Sequence, residues 1–448
     1  MRQLAIVLVV LLLLAVPTGD LAHSQTDSDR TPITGENATV LEPLIRLPNE
    51  LQAVEDVTFS ADGSLLAAGG YFNCPADADR HTCPGRVVLW TSGSGDVVTT
   101  FEAFAAPVIS VAFSPDGTRF AALDESGQIQ VWALPSRDEI AAFDNAQGIG
   151  DITFNLDGTL LASTGGEGAV RVWSMADNTE SRPILAGYST KFSLAFSPVE
   201  PLVALGGFRE VGLWQVREPS ENGGIVNVSS ANLRAGPGTG YGVLGIALGG
   251  EELIILGTND LGDWYNIETA AGLNAWIAGY LLDTDDVAGR APREIATVTL
   301  PDDGETIAAD LAFSRDGTRF ASANFDLITG QGSLTVWQKD LTLLPVPEDA
   351  PPTPTPTPTP ADAVPVLPAL IGNLSMPEPL VMVSFNADGN LLAYAGEDDV
   401  LRLWIVGAGA ELAAYETPLR TLDFSPDGTW LAAGLGDGTV ELWGAPAG

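Results

Sequence analysis

The chain has 448 residues, with 58 acidic against 20 basic side chains, a formal charge of −38, two cysteines and two histidines. That excess of negative charge repels phosphates and argues against nucleic acid or an anionic bilayer as partner, solubility being its ordinary consequence. The length exceeds one ordinary core, so the chain must be several domains or an array of repeats.

At the start, Arg2 precedes a thirteen-residue apolar run over 4–16, followed by small and polar residues up to Ser24. The run is shorter than the roughly 20 residues that span a bilayer. Residues 1–24 therefore read as a secretory signal, with a retained anchor as the alternative. Residues 25–40 read as a disordered linker, and 41–223 as a first run of repeats. Cys74 and Cys83 lie nine positions apart. In an exported protein that spacing reads as a loop-closing disulfide. A metal site needs more thiols or imidazoles than His81 alone supplies, so no metal and no cofactor are expected.

Seven related pentapeptides punctuate the sequence, beginning at Phe59, Phe113, Phe154, Phe196, Phe313, Phe385 and Phe424, with FSPDG as the commonest form. Each is followed by an apolar residue and Trp, at Trp90, Trp132, Trp173, Trp214, Trp337, Trp404 and Trp443. Undisturbed copies lie 39 to 42 residues apart. Alternating residues before each Asp-Gly step predict an inner strand, Asp-Gly predicts a tight turn, and two further strands follow, the last ending at Trp. Segments such as DEIAAF (138–143) and REIATVTL (293–300) supply a fourth, outer strand. After Trp443 five residues remain, too few for that strand, whereas EPLIRL (42–47) precedes the first copy. It is expected to complete the last blade and close the ring, because one small sheet cannot bury both faces alone.

These motifs resemble the WD-repeat β-propeller family over roughly 290 residues, counting seven blades of about 41. The resemblance implies an all-β, seven-bladed WD-repeat-type β-propeller. The TolB-type propeller is the alternative label. No Gly-His pair precedes an inner strand and no repeat Trp is followed by Asp, so the family's buried Asp-His-Ser/Thr-Trp network is expected to be missing.

Two insertions interrupt the repeat. Between the fourth and fifth copies, 224–286 carries NLRAGPGTGY (232–241), GDWYNI (262–267) and AWIAGYL (275–281). Their order resembles the bacterial SH3-like domain, an inserted small barrel some of whose relatives bind peptides or peptidoglycan cross-bridges, and the resemblance implies a binding module of unspecified ligand. Ala275 stands where that family usually has Gly. Blade 5 is expected over 287–346, a Pro/Thr-rich linker over 347–365 and the last two blades over 366–446. The tract PPTPTPTPTP (351–360) reads as an extended tether. Both insertions follow a third strand and so leave the ring on the face of the Asp-Gly turns, opposite the cysteine loop.

Within the barrel, Arg234, Tyr241, Trp264, Tyr265 and Trp276 are candidates for a ligand groove, since rings pack on peptide or sugar and a cation meets carboxylate. Packing in the barrel core is the competing role for the rings. On the ring, acidic turn residues such as Asp124, Glu125, Asp326 and Asp437, with Asp56, Asp151 and Asp310 on the loops leading into inner strands, form a rim that would attract a basic peptide or divalent cations. Ordinary turn chemistry accounts for the same residues. The expected function is an exported, non-catalytic protein-interaction scaffold that binds a protein, a peptide or peptidoglycan at the cell surface. A secreted hydrolase targeted by the barrel to wall carbohydrate or peptide is the alternative.

Overall fold

The computed structural model describes residues 30–446 apart from 49, 146–149, 166–169, 179, 181–192, 201, 216–222, 227–228, 249–251, 259–263, 270–272, 284–292, 301–304 and 340–367. The expected signal segment, 1–24, and the Pro/Thr tract lie outside the described residues.

Blade 1 sets the pattern. Its strands Ala53–Phe59, Leu65–Tyr71, Gly85–Thr91 and Val97–Phe104 lie in that order across one antiparallel sheet. Gly63 takes φ +72°, a backbone state only glycine enters without strain. The Asp62 carboxylate accepts hydrogen bonds from Ser60 Oγ at 2.6 Å and from the Ser64 amide at 3.0 Å, which holds it below the usual carboxylate range. Asp116, Asp316 and Asp427 sit in the same cage, each accepting from the serine two residues before and the threonine two residues after. The turn is therefore specified by five residues rather than by Asp-Gly alone.

Among the described residues, seven such sheets stand side by side. Their inner strands Ala53–Phe59, Val108–Phe113, Ile152–Phe154, Ser193–Phe196, Thr306–Phe313, Leu380–Phe385 and Leu419–Phe424 touch in chain order, and the last touches the first. The core lies between blades. Leu89 and Phe101 of blade 1, for example, pack with Val108, Phe120 and Trp132 of blade 2. Six repeat tryptophans are buried, several stacked on a phenylalanine as in Phe101–Trp132 at 4.3 Å and Phe320–Trp337 at 4.8 Å. The seventh, Trp214, is partly buried. Of the polar network expected to be missing, one link survives: Trp173 Nε1 donates to Ser163 Oγ at 3.1 Å.

The ring closes as the sequence requires. Glu42–Arg46 pairs antiparallel with Val440–Gly444, from Glu42↔Gly444 to Arg46↔Glu441. Arg46 also reaches the carboxylate of Glu441, which is 3 % exposed and accepts from Trp443 Nε1 at 3.2 Å. The linker expectation for 25–40 needs correcting in its described part. Residues 30–41 form a strap: the Ile33 amide donates to Gly428 O at 2.7 Å, Asn386 Nδ2 to Ile33 O at 3.0 Å, and Tyr415 to Ala38 O at 2.6 Å. Ile33 and Ala38 are buried between the last two blades, and the Arg30 guanidinium lies 3.8 Å from the centre of the Trp430 ring. Two large apolar residues in twelve, Ile33 and Leu41, anchor this segment, too few to show the period of a strand or helix.

The outer strands rejoin across both insertions. Arg293–Thr299 pairs with Glu210–Gln215 in blade 4, and Ala369–Met376 with Gly332–Gln338 in blade 5. In blade 3 the described part of the outer edge is the bridge Trp173↔Glu180, and residues 181–192 lie outside the described residues.

Cys74 and Cys83 are bonded. Their loop is latched to the ring by Gln52 Nε2 donating to Cys74 O at 3.0 Å, Arg80 to Glu55 at 3.1 Å and His81 Nδ1 against Glu125 of blade 2 at 2.7 Å. Closing so short a loop stabilises by about 2–3 kcal/mol at most, and three other contacts hold the same loop. Replacing both cysteines by serine should therefore make 72–84 cleavable by trypsin at Arg80 while leaving the ring folded. Peptide mapping after limited digestion reads the first effect and circular dichroism the second.

Candidate functional site

The barrel strands run in the order Val243–Leu248, Ser230–Arg234, Asn274–Ala278, Trp264–Glu268, Glu252–Thr258, Gly223–Val226 and Leu282–Asp283. Ala231, Leu233, Ala247, Ile267, Ala275 and Ile277 face inward and are buried together. Ala275 is thus a core residue at 3 % exposure, where its methyl fits without loss of fold. Because side chains alternate along a strand, the intervening residues face out. That places Arg234, Trp276 and Trp264 on one outer face, with Arg234 opposite Trp276 across the strand pair and Asn266 opposite Trp276 on its other side.

Tyr265 departs from the expectation. It points the other way and packs against the barrel core, so it belongs to the fold rather than to a groove. Tyr241 stands on the neighbouring loop, 52 % exposed. Arg234 has a structural task as well: Nη1 donates to Thr239 O at 3.0 Å and to Tyr241 O at 2.8 Å, stapling the RAGPGTGY loop. Within that loop a Cβ on Gly236 would fall 2.6 Å from the Tyr241 ring, which explains the glycine.

The same face carries three residues that the sequence reading passed over. Leu244, Ile246 and Leu248 are 51 %, 62 % and 62 % exposed, and Asn232 and Ser230 stand opposite Ile246 and Leu248. Their signal is an inverted alternation, since LGIAL places the small Gly245 and Ala247 inward and the large residues outward. Exposed apolar residues in a contiguous row mark an interaction surface.

The second candidate is the axis of the ring. A cavity of about 600 Å³ runs between the inner strands and is lined by Asp56, Asp151, Asp310 and Asp423, with Arg315 and the turn prolines Pro115, Pro198 and Pro426 nearer its mouth. Three of these aspartates were expected on loops leading into the strands. Asp56 and Asp310 instead lie within inner strands, each directly after a register shift, at Val54/Asp56 and Ala308/Asp310. Such a bulge re-aims the side chain that follows it. Asp423, which the sequence reading did not single out, completes the set.

Each carboxylate reaches the inner strand of the next blade. Asp56 accepts from the Val111 amide at 2.8 Å, Asp151 from Leu194 at 3.3 Å, Asp310 from Val383 at 2.8 Å and Asp423 from Phe59 at 3.1 Å. Serines serve the junctions between: Ser110 Oγ donates to Asp151 at 2.8 Å, Ser193 Oγ to Ala308 O at 3.2 Å and Ser384 Oγ to Asp423 at 3.2 Å. Aspartate and serine therefore alternate round a belt of seven, the odd number leaving Asp423 and Asp56 as neighbours. Burial and then the neighbouring aspartates raise Asp56 well above the usual carboxylate range and Asp310 to about 7; for Asp151 and Asp423 burial alone raises the carboxyl, Asp423 to about 6, against their hydrogen bonds.

Several acids of the expected rim serve turns. Asp124 accepts from the amides of Ser126 and Gln128, Asp326 from Ile328 and Thr329, and Asp437 from Thr439. Among the described residues no group of three or more His, Cys, Asp or Glu is placed to hold a metal ion.

Comparison with known proteins agrees with this geometry. The family profile described as bacterial SH3 domain matches residues 229–283, and that of the WD domain, G-beta repeat, matches 95–133, 139–174 and 410–444. This chain is a WD-repeat β-propeller with a bacterial SH3 domain inserted in its fourth blade. Among curated relatives, eukaryotic translation initiation factor 3 subunit I of Coccidioides immitis is 39 % identical over 72 residues, 15 % of this chain and 21 % of that protein. The Schizosaccharomyces pombe counterpart is 32 % identical over 73 residues, 16 % of this chain and 22 % of that protein. The match thus spans about a fifth of those relatives' length. Among solved structures, the β-propeller domain of Cps50 (Swd1) from Myceliophteria thermophila superposes with a TM-score of 0.57 at 12 % identity, covering 91 % of this chain and 100 % of that one. At that identity the likeness speaks for the fold alone. No helix of the described residues is long and apolar enough to cross a membrane.

Proposed function

We propose that this protein is an exported, non-catalytic interaction scaffold whose barrel takes a peptide or the peptide part of the cell wall. WD repeats and an SH3 domain support an interaction role. The observation that carries the finer reading is the outer barrel face, where Arg234, Trp276 and Trp264 stand beside exposed Leu244, Ile246 and Leu248. Rings and aliphatic side chains offer stacking area, and the guanidinium offers a partner for a carboxylate. Export is supported by the apolar run at 4–16 and by the pairing of the only two cysteines, which suits an oxidising compartment. The non-catalytic reading is supported by the axial carboxylates, each of which already accepts a bond from the next blade.

The test is co-sedimentation of the secreted protein with purified peptidoglycan. Retention in the pellet is the expected result, and a protein left wholly in the supernatant removes the wall ligand. Sequencing the amino terminus of material from the medium should find it near residue 25. A secreted hydrolase is the second reading, favoured by the Asp310 carboxyl near pH 7 in an open cavity. Release of reducing ends or amines from wall polymers that disappears in Asp310→Asn would establish it.

A further inference from the structure

We propose that the axial belt is a proton-operated clasp, by which the propeller holds its blades together more tightly in mildly acidic surroundings than in alkaline ones. Four carboxyls from alternate blades converge on one cavity, and each bridges a junction between blades through a backbone amide. Facing them from the neighbouring inner strands are Ser110, Ser384 and Thr421, neutral donors. Among the described residues, the one cation lining the cavity is Arg315, which is exposed on a turn. Glu55, next to Asp56, is engaged outward with Arg80.

Four negative charges gathered round a common axis, with no opposite charge among them, repel one another across a medium poorer than water. Protonating one removes a repulsion and leaves its second oxygen free to accept the inter-blade amide. The clasp itself survives. The unfolded chain gains nothing comparable, because there the carboxyls are far apart and titrate near their ordinary value. The folded ring therefore binds more protons than the unfolded chain over the interval between the two. By linkage its stability rises as pH falls through that interval and is lost as pH rises. The interval runs from about 4 up to about 6 for Asp423 and about 7 for Asp310.

A general relief of the −38 charge would act in the same direction. The experiment separates the two by isosteric neutralisation at the belt. Thermal unfolding of the whole secreted chain is followed at pH 8, 7, 6 and 5 for the native protein, for Asp310→Asn with Asp423→Asn, and for Asp77→Asn with Asp138→Asn, which lie exposed on outer loops. The expected result is a native Tm higher at pH 5 than at pH 8 by several degrees. The belt variant should be flatter over that range and at least as stable as the native protein at pH 8. The outer-loop variant should keep the native slope. Equal slopes in all three proteins would assign the effect to overall charge and overturn the clasp, as would a native Tm that falls from pH 7 to pH 5. Should the double variant fail to fold, Asp310→Asn alone at half the expected flattening gives the same decision.

Discussion

Removing residues 30–47 is expected to abolish cooperative unfolding of the propeller. The deletion takes away the outer strand of blade 7, so Val440–Gly444 becomes an unpaired edge with its amides and carbonyls exposed. It leaves the Glu441 carboxylate, 3 % exposed in the complete ring, without its arginine. It also empties the seat of Ile33, packed among Leu391, Leu403, Leu422 and Phe424 between blades 6 and 7. A ring differs from a stack here, because an opened junction lets water reach the faces of both adjoining blades. Ile33→Ala tests the strap by itself, and its cost should lie near 2–5 kcal/mol, the range for emptying a buried aliphatic site. The deletion should show a red-shifted tryptophan emission and rapid digestion. Native resistance to protease in the deletion variant would mean that the seam does not hold the ring.

What the sequence could announce follows from how local each signal is. The turns are legible because Ser, Asp, Gly and Thr within five residues make all the bonds that define them, as in 60–64. Closure by residues 42–47 is legible by subtraction, since the last blade lacks an outer strand and the first segment has no other partner. The belt is not legible, because Asp56 and Asp310 read as loop acids until a bulge in each inner strand aims them at the axis. A bulge depends on the register between two strands, which no single stretch of sequence carries. Among the described residues, third and outer strands shift register just before the tryptophan in six blades, at Leu89/Trp90, Val131/Trp132, Leu213/Trp214, Val336/Trp337, Leu403/Trp404 and, opposite Pro43/Ile45, Leu442/Trp443, and this too is silent in the residues themselves. In the barrel, composition could select aromatic residues but not their side of the sheet. One position of parity separates Trp264, which faces out, from Tyr265, which packs on the core.

That parity makes the second large effect a sharp one. Trp276→Ala is expected to weaken retention on peptidoglycan by at least tenfold with the fold unchanged, whereas Tyr265→Ala should lower the stability of the barrel first. Trp276 is partly exposed, central among Arg234, Asn266 and Trp264, and flanked inward by buried Ala275 and Ile277. Truncating a ring at the centre of an interface costs about 2 kcal/mol or more when the ring is an anchor, and 1.4 kcal/mol is a factor of ten in affinity. Ile246→Lys supplies the independent probe: at 62 % exposure the change is tolerated by the fold, yet it places a hydrated ammonium in the apolar row. Arg234→Ala is the less clean variant, because the loss of its two carbonyl bonds also frees the loop that carries Tyr241. If Trp276→Ala and Ile246→Lys both pellet with the wall as fully as the native chain, the ligand sits elsewhere on the molecule. Retention lost in both, with melting curves unchanged, places it on the face that strand alternation turns outward.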